Sequence, residues 1–172
     1  LSWSAPFYTR IHDLELKEVA LVLGIITGVG GALGSYLGGL LSDRLGSVNQ
    51  RWYLWIPATA SGLTVATGLA QFLVPVSYVS FGLAALTILL LSSFAPPLYA
   101  IAHSLVAANL RALTSSLLVM GSALLGGAFG PTVTGVLSDR FLEMGAGAQA
   151  LRYAICLAFV FSGAAAWLFM KA

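Results

Sequence analysis

GGALGSYLGGLLSDRL, residues Gly30 to Leu45, returns 96 residues later as GGAFGPTVTGVLSDRF, Gly126 to Phe141, and the two stretches align without a gap. Nine of the sixteen positions are identical, among them Gly39 with Gly135 and the closing Leu-Ser-Asp-Arg. A repeat at fixed offset constrains architecture before any local reading does. What it implies depends on the solvent the chain occupies and on how often the chain crosses that solvent between the copies.

Of the 172 residues, 59% are hydrophobic and 8% charged, against roughly 25% charged in soluble domains. Such a chain cannot clothe a water-facing surface and belongs in a bilayer. Uncharged runs cover 19–42, 52–110, 112–138 and 153–170. A crossing takes about 20 apolar residues, so the sequence predicts spans at 19–41, 54–74, 78–102, 112–137 and 153–170. The longest run holds two of them, divided at Pro75. The runs are continuous rather than alternating, which argues against a membrane barrel. The apolar LSWSAPFYTR at 1–10 is too short to cross and reads as the stub of a further span, with the chain a piece of a longer protein. The expected class is all-α and multi-pass, in a bacterial inner membrane or another cell membrane.

Several function classes fall away. Cys156 is the one cysteine and lies within a predicted span, leaving no disulfide framework and no cysteine metal site. His12, His103 and Cys156 sit on separate segments, so no catalytic residue, metal or cofactor is expected and the chain does not read as an enzyme. A net charge of +2, scattered, offers nothing to nucleic acid. Lys and Arg divide evenly between the two faces: Arg44, Arg51, Arg111 and Lys171 on one, Arg10, Lys17, Arg140 and Arg152 on the other. Only the acids, which weigh little, favour a cytosolic Asp43–Arg51 loop.

Three crossings separate the two Leu-Ser-Asp-Arg ends, and an odd number puts them on opposite faces. Inverted three-helix repeats nested in a six-helix half are the building plan of many secondary transporters, with substrate at the midplane. GGLLSDRLG, Gly38 to Gly46, resembles the glycine-Asp-Arg-glycine signature of the major facilitator superfamily. With RWYLWIPA (51–58), the stretch from Pro96 to Leu118, and GPTVTGVLSD (130–139), the chain is most similar to the spinster-like subgroup. That resemblance implies the C-terminal six-helix half of the fold, first helix truncated, with a missing N-terminal half as partner. It also implies a small-molecule substrate of sphingoid or lysolipid type. A drug or small-solute porter of the same superfamily, or a non-transporting membrane subunit, are the alternatives. The signature normally continues with two basic residues where this chain has Ser47 and Val48.

By that resemblance Asp43, with Arg44 and Gly39, forms a latch that holds the halves together when the cytosolic side is shut. Gly30, Gly34 and Gly38, echoed by Gly126 and Gly130, form a fourth-residue stripe for close helix packing in lipid. Intramembrane hydroxyls tend to face the bundle interior, which nominates Thr27, Ser35 and Tyr36 in the first span, Ser92, Ser93 and Tyr99 in the third, and Ser115, Ser116, Ser122 and Thr132 in the fourth as cavity residues. In the resembled fold these three spans line the cavity while the second and fifth lie outside. Pro96, Pro97 and Pro131 should kink their helices. Asp13 is placed to cap the first span. No carboxylate lies within a span, so any coupling acid belongs to the missing half.

Overall fold

A computed structural model describes residues 3–145, 150 and 152–157. The described residues are helical throughout: α1, Ser4–Ile11; α2, Leu16–Gly46; α3, Trp52–Leu73; α4, Ser77–Ser104; α5, Ala108–Glu143; and a last segment, α6, at 152–157. Among them α2, α4 and α5 are long and apolar enough to cross a membrane. α3 has the 22 residues a crossing needs, but Thr59, Ser61, Thr64, Thr67 and Gln71 leave it less apolar than the other three. Most of the expected span at 153–170 lies outside the described residues, and so does Lys171.

The helices overrun the predicted spans, because Arg and Lys near helix ends can keep their charges at the headgroups while the backbone stays helical. Three features interrupt them. Wide π-helical turns occupy Ile26–Gly30 in α2 and Ser122–Phe129 in α5. They begin at positions related by the same 96-residue offset as the sequence repeat. α4 breaks at Phe94, directly before Pro96 and Pro97. Pro131 sits in the first α-helical turn after the π segment of α5, which stays continuous through it. Asp13 does not cap α2: the residue before that helix is Glu15, without a side-chain cap bond. Asp13 stands exposed at φ 50°, a left-handed turn that Asp tolerates better than most residues.

Directions follow from side-chain register. Gly30, Gly34 and Gly38 of α2 meet Ile88, Leu89 and Ser93 of α4 in rising order, so these two helices run parallel. α3 runs antiparallel to α4, with Gln71 paired to Ser80 and Thr67 to Thr87. α5 returns along α4 from the bend where His103 meets Ser115. Asp43 and Asp139 therefore end at opposite faces, and the repeat is inverted.

An aromatic cluster fastens the Asp139 end. Phe7, Tyr8, Val19, Phe72 and Ile155 are buried together, joining α1, α2, α3 and α6. Phe7 meets Phe72 edge to face at 4.7 Å, and Tyr8 stacks on Phe81 at 4.1 Å. Such pairs add about 0.5–1.5 kcal/mol beyond simple burial. Buried hydroxyls are satisfied in place: Tyr8 Oη lies 2.8 Å from Ser80 Oγ, which is also 2.8 Å from the Gln71 carbonyl.

Candidate functional site: a glycine seam beside a proline break

Lipid supplies no hydrophobic force to hold helices together, so close contact must come from small residues. At Gly34 and Gly38 of α2 a Cβ would collide with the backbone of Leu89 and Ser93, whereas at Gly30 it would rest at an ordinary 3.5 Å from Ile88. The proline pair explains what approaches. In a regular helix the N–H of residue 96 would bond the Ser92 carbonyl and that of residue 97 the Ser93 carbonyl, and prolines have no N–H. Both oxygens are left to α2. Ser35 Oγ donates to the Ser92 carbonyl at 3.4 Å, and the Ser93 carbonyl lies against Gly38. One small-residue face thus receives a helix that its own prolines have opened.

The repeat partner behaves differently. Among the described residues, and outside their own helix, no atom lies within 4 Å of a Cβ built on Gly126 or Gly130. Position 134, the counterpart of Gly38, is a buried Thr whose Oγ1 donates to the Gly130 carbonyl at 3.0 Å. What the copies do share is the later glycine. Gly39 lies 3.8 Å from Pro96 of α4, and Gly135 lies 3.3 Å from the Trp3 ring beside α1, both measured from a built Cβ. Trp3 Nε1 also donates to the Pro131 carbonyl at 3.1 Å. In each copy, then, the conserved-in-repeat glycine meets the opening helix of the other three-helix unit.

The loop after α2 is tightly tied. Tyr53 covers Gly46 so closely that no Cβ would fit. Ser47 Oγ donates to the Arg44 carbonyl at 2.7 Å, and Asn49 Oδ1 accepts from the Arg51 N–H at 3.0 Å. Ser42, buried, hydrogen-bonds back to the Gly38 and Gly39 carbonyls. On this rigid base Asp43 and Arg44 stand exposed. The Asp43 side chain makes no hydrogen bond or ion pair among the described residues, whereas at the far face Arg140 pairs with Glu143 at 3.5 Å. Trp52 and Trp55 pack edge to face at 5.4 Å beside Arg51, as an interfacial belt does.

Of the ten nominated cavity hydroxyls, the structure brings together two pairs. Ser35 reaches Ser92, and Tyr99 joins Ser115 through His103, whose Nε2 lies 2.7 Å from Ser115 Oγ. Ser93 is buried, with its backbone against Gly38 and its Oγ donating to Leu90 O at 2.7 Å. Ser116, Ser122 and Thr132 are exposed and bond back to their own helix. Thr27 and Tyr36 are exposed on α2, Tyr36 at 66%. No group of three or more metal-ligating side chains occurs among the described residues.

This layout has close counterparts. A bacterial homologue of the human lysosomal transporter Spinster, in an inward-facing and occupied conformation, superposes with a TM-score of 0.80 over 99% of this chain and 44% of its own, at 23% identity. An inward-facing, unoccupied structure of a bacterial Spinster homologue gives 0.70, at 24% identity and 41% of its length. In sequence, a protein of Mycolicibacterium smegmatis described as an MFS-type efflux pump is 33% identical over 156 residues, 91% of this chain. In fold and in sequence the chain is similar to part of a transporter of the major facilitator type. No protein-family model matches it. It spans 36% of the length of its mycobacterial relative, so it carries part of a facilitator fold, and the inverted three-helix units are that fold's internal repeat.

Sequence reading missed one group of residues: Tyr8, His12, Ser77 and Ser80, which join α1 to α4. A second internal match would have found two of them. Pro6-Phe7-Tyr8-Thr9-Arg10-Ile11-His12 aligns with Pro97-Leu98-Tyr99-Ala100-Ile101-Ala102-His103. Its offset is 91 rather than 96, because His103 stands 23 residues before Gly126 whereas His12 stands 18 before Gly30, and a gapless search at one offset passes over it.

Proposed function

We propose that the chain is the C-terminal half of a spinster-like secondary transporter that works by alternating access and exports lipid-like small molecules. The observation that carries this reading is the seam at Gly34 and Gly38. A smooth helix face against an opened backbone lets α2 and α4 shift without tearing interlocked side chains, which is what rocking around a midplane site requires. The exposed hydroxyls of α2 and α5, with no carboxylate among them in the spans, suit a substrate that is mostly apolar with a small polar head. The name given to the mycobacterial relative supports outward movement of substrate. Asp43, Arg44 and Gly39 serve as the cytosolic latch, and the other half of the protein covers the faces that α2 and α5 leave open.

The test is transport by the full-length protein in proteoliposomes, with labelled lysolipid, sphingoid base and hydrophobic cation offered in turn. Saturable export of the lysolipid or the sphingoid base is expected. Movement of the cation alone would favour a drug porter of the same superfamily, a reading that the efflux-pump relative also supports. No flux of any of them would favour a non-transporting subunit.

A further inference from the structure

Two matching helices end in histidine. The Pro-x-Tyr-x-x-x-His pattern closes α1 at His12 and the matched stretch of α4 at His103, and the inversion puts these residues at opposite faces. At the Asp139 face, His12 Nδ1 lies 3.0 Å from Ser77 Oγ, at the first residue of α4. Its Nε2 is buried and has no hydrogen-bond partner among the described residues. Phe7 and Tyr8 hold the ring at centroid distances of 5.3 and 5.5 Å.

The groups around the ring come from α1, α2, α4 and α6, and α3 packs on the same cluster through apolar Phe72. Tyr8 is the titratable neighbour on α1 itself. α4 brings the hydroxyls of Ser77 and Ser80, α2 packs on the same cluster through apolar Val19, and α6 brings the cation of Arg152. Asp13, next in sequence, is exposed on its left-handed turn. A neutral imidazole fits these surroundings, with Nδ1 and Ser77 sharing one hydrogen. An imidazolium does not: it must donate from both nitrogens, Nε2–H would find no acceptor there, and Arg152 repels the added charge.

We propose that His12 is a pH-sensing latch: neutral, it ties α1 to α4 at the Asp139 face, and proton uptake releases the tie. Burial, and then Arg152, hold the imidazole below its ordinary pKa. Because the packed arrangement binds the proton less tightly than a free imidazole, its stability is full above the ordinary histidine range and falls as pH drops through the lower, packed-state pKa. Acidification on this face therefore favours separation of α1 from α4. The inference rests on the packing of α1, α4 and α6 and is independent of the substrate.

The experiment uses the full-length protein in lipid, with Cys156→Ala and spin labels at the exposed positions Arg10 and Tyr78, and distances measured from pH 8 to pH 4.5. The wide-distance population should grow roughly fivefold or more on acidification. His12→Gln, which still bonds Ser77 but takes up no proton, should abolish that growth, while His103→Gln should leave it intact. Arg152→Gln keeps His12 and should move the midpoint to higher pH, a check that does not depend on how well His12→Gln folds. A wild type that does not respond, a His12→Gln protein that still does, or an unmoved midpoint in Arg152→Gln would each overturn the proposal.

Discussion

Gly38 of α2 lies directly against the Ser93 carbonyl of α4, an oxygen that Pro97 has deprived of its helical donor. A methyl group at position 38 would have to push two backbones apart, since nothing flexible stands in its way. Overpacking of this kind costs about 1–3 kcal/mol. Gly38→Ala and Gly34→Leu should therefore lower the unfolding temperature in detergent and reduce yield. Gly62 of α3, which among the described residues outside its own helix has no atom within 4 Å of a built Cβ, should accept Leu with little change. Equal losses at all three sites would show that the seam is not what holds α2 to α4.

The opposite placement of the two Leu-Ser-Asp-Arg ends can be read from outside the membrane. Ser47 and Glu143 are both exposed, and in a Cys156→Ala background a single cysteine at each should react with an impermeant reagent from opposite sides. Reaction of both from one side would contradict the parallel course of α2 and α4.

The repeat and the charge gaps made the helix order and the inversion legible, because both depend on counting crossings rather than on contacts. The seam was legible in half. Gly34 and Gly38 pack as a stripe suggests, whereas Gly126 and Gly130 carry the same signature with no neighbour among the described residues, since a stripe records the absence of side chains and says nothing of what lies opposite. Hydroxyls were the least legible. Ser93 and Ser92 are neighbours in sequence, yet one is spent in the seam and the other receives Ser35 at the proline break, a division set by a helix break that residue type does not encode. The network of Tyr8, Ser80 and Gln71 links residues 72 and 9 positions apart, and no local pattern announces it.

That network offers a graded test. Tyr8→Phe removes one hydroxyl and leaves Ser80 bonded to the Gln71 carbonyl, so it should cost about 1 kcal/mol or less. Ser80→Ala takes one of its two side-chain partners from the Tyr8 hydroxyl and leaves the buried Gln71 carbonyl without the Ser80 donor, so it should cost more, about 1–3 kcal/mol. Thermal unfolding of the two variants in the same detergent should rank Ser80→Ala as the less stable. The reverse order would mean that Tyr8 matters through its hydroxyl alone.

Asp43 stands in the last turn of α2, exposed and with no side-chain partner among the described residues. The end of a helix where carbonyls are free is its negative pole, so a carboxylate there weakens its own helix by a few tenths to about 1 kcal/mol. A charge that is unfavourable where it sits must be offset elsewhere, and the positive N-terminus of a helix in the other half would do so in the cytosol-closed state alone. Asp43→Asn keeps size and hydrogen bonding but removes the charge. It should slightly stabilise the α2 terminus while moving the conformational equilibrium roughly fivefold toward cytosol-open, the effect of about 1 kcal/mol of differential stabilisation. Asp139→Asn should not do so, because its sequence twin lies at the opposite face, one residue before the Arg140 that pairs with Glu143. Spin-label distances across the cytosolic mouth of the full-length protein decide between them: distributions unchanged in Asp43→Asn, with expression intact, would make Asp43 an ordinary loop acid.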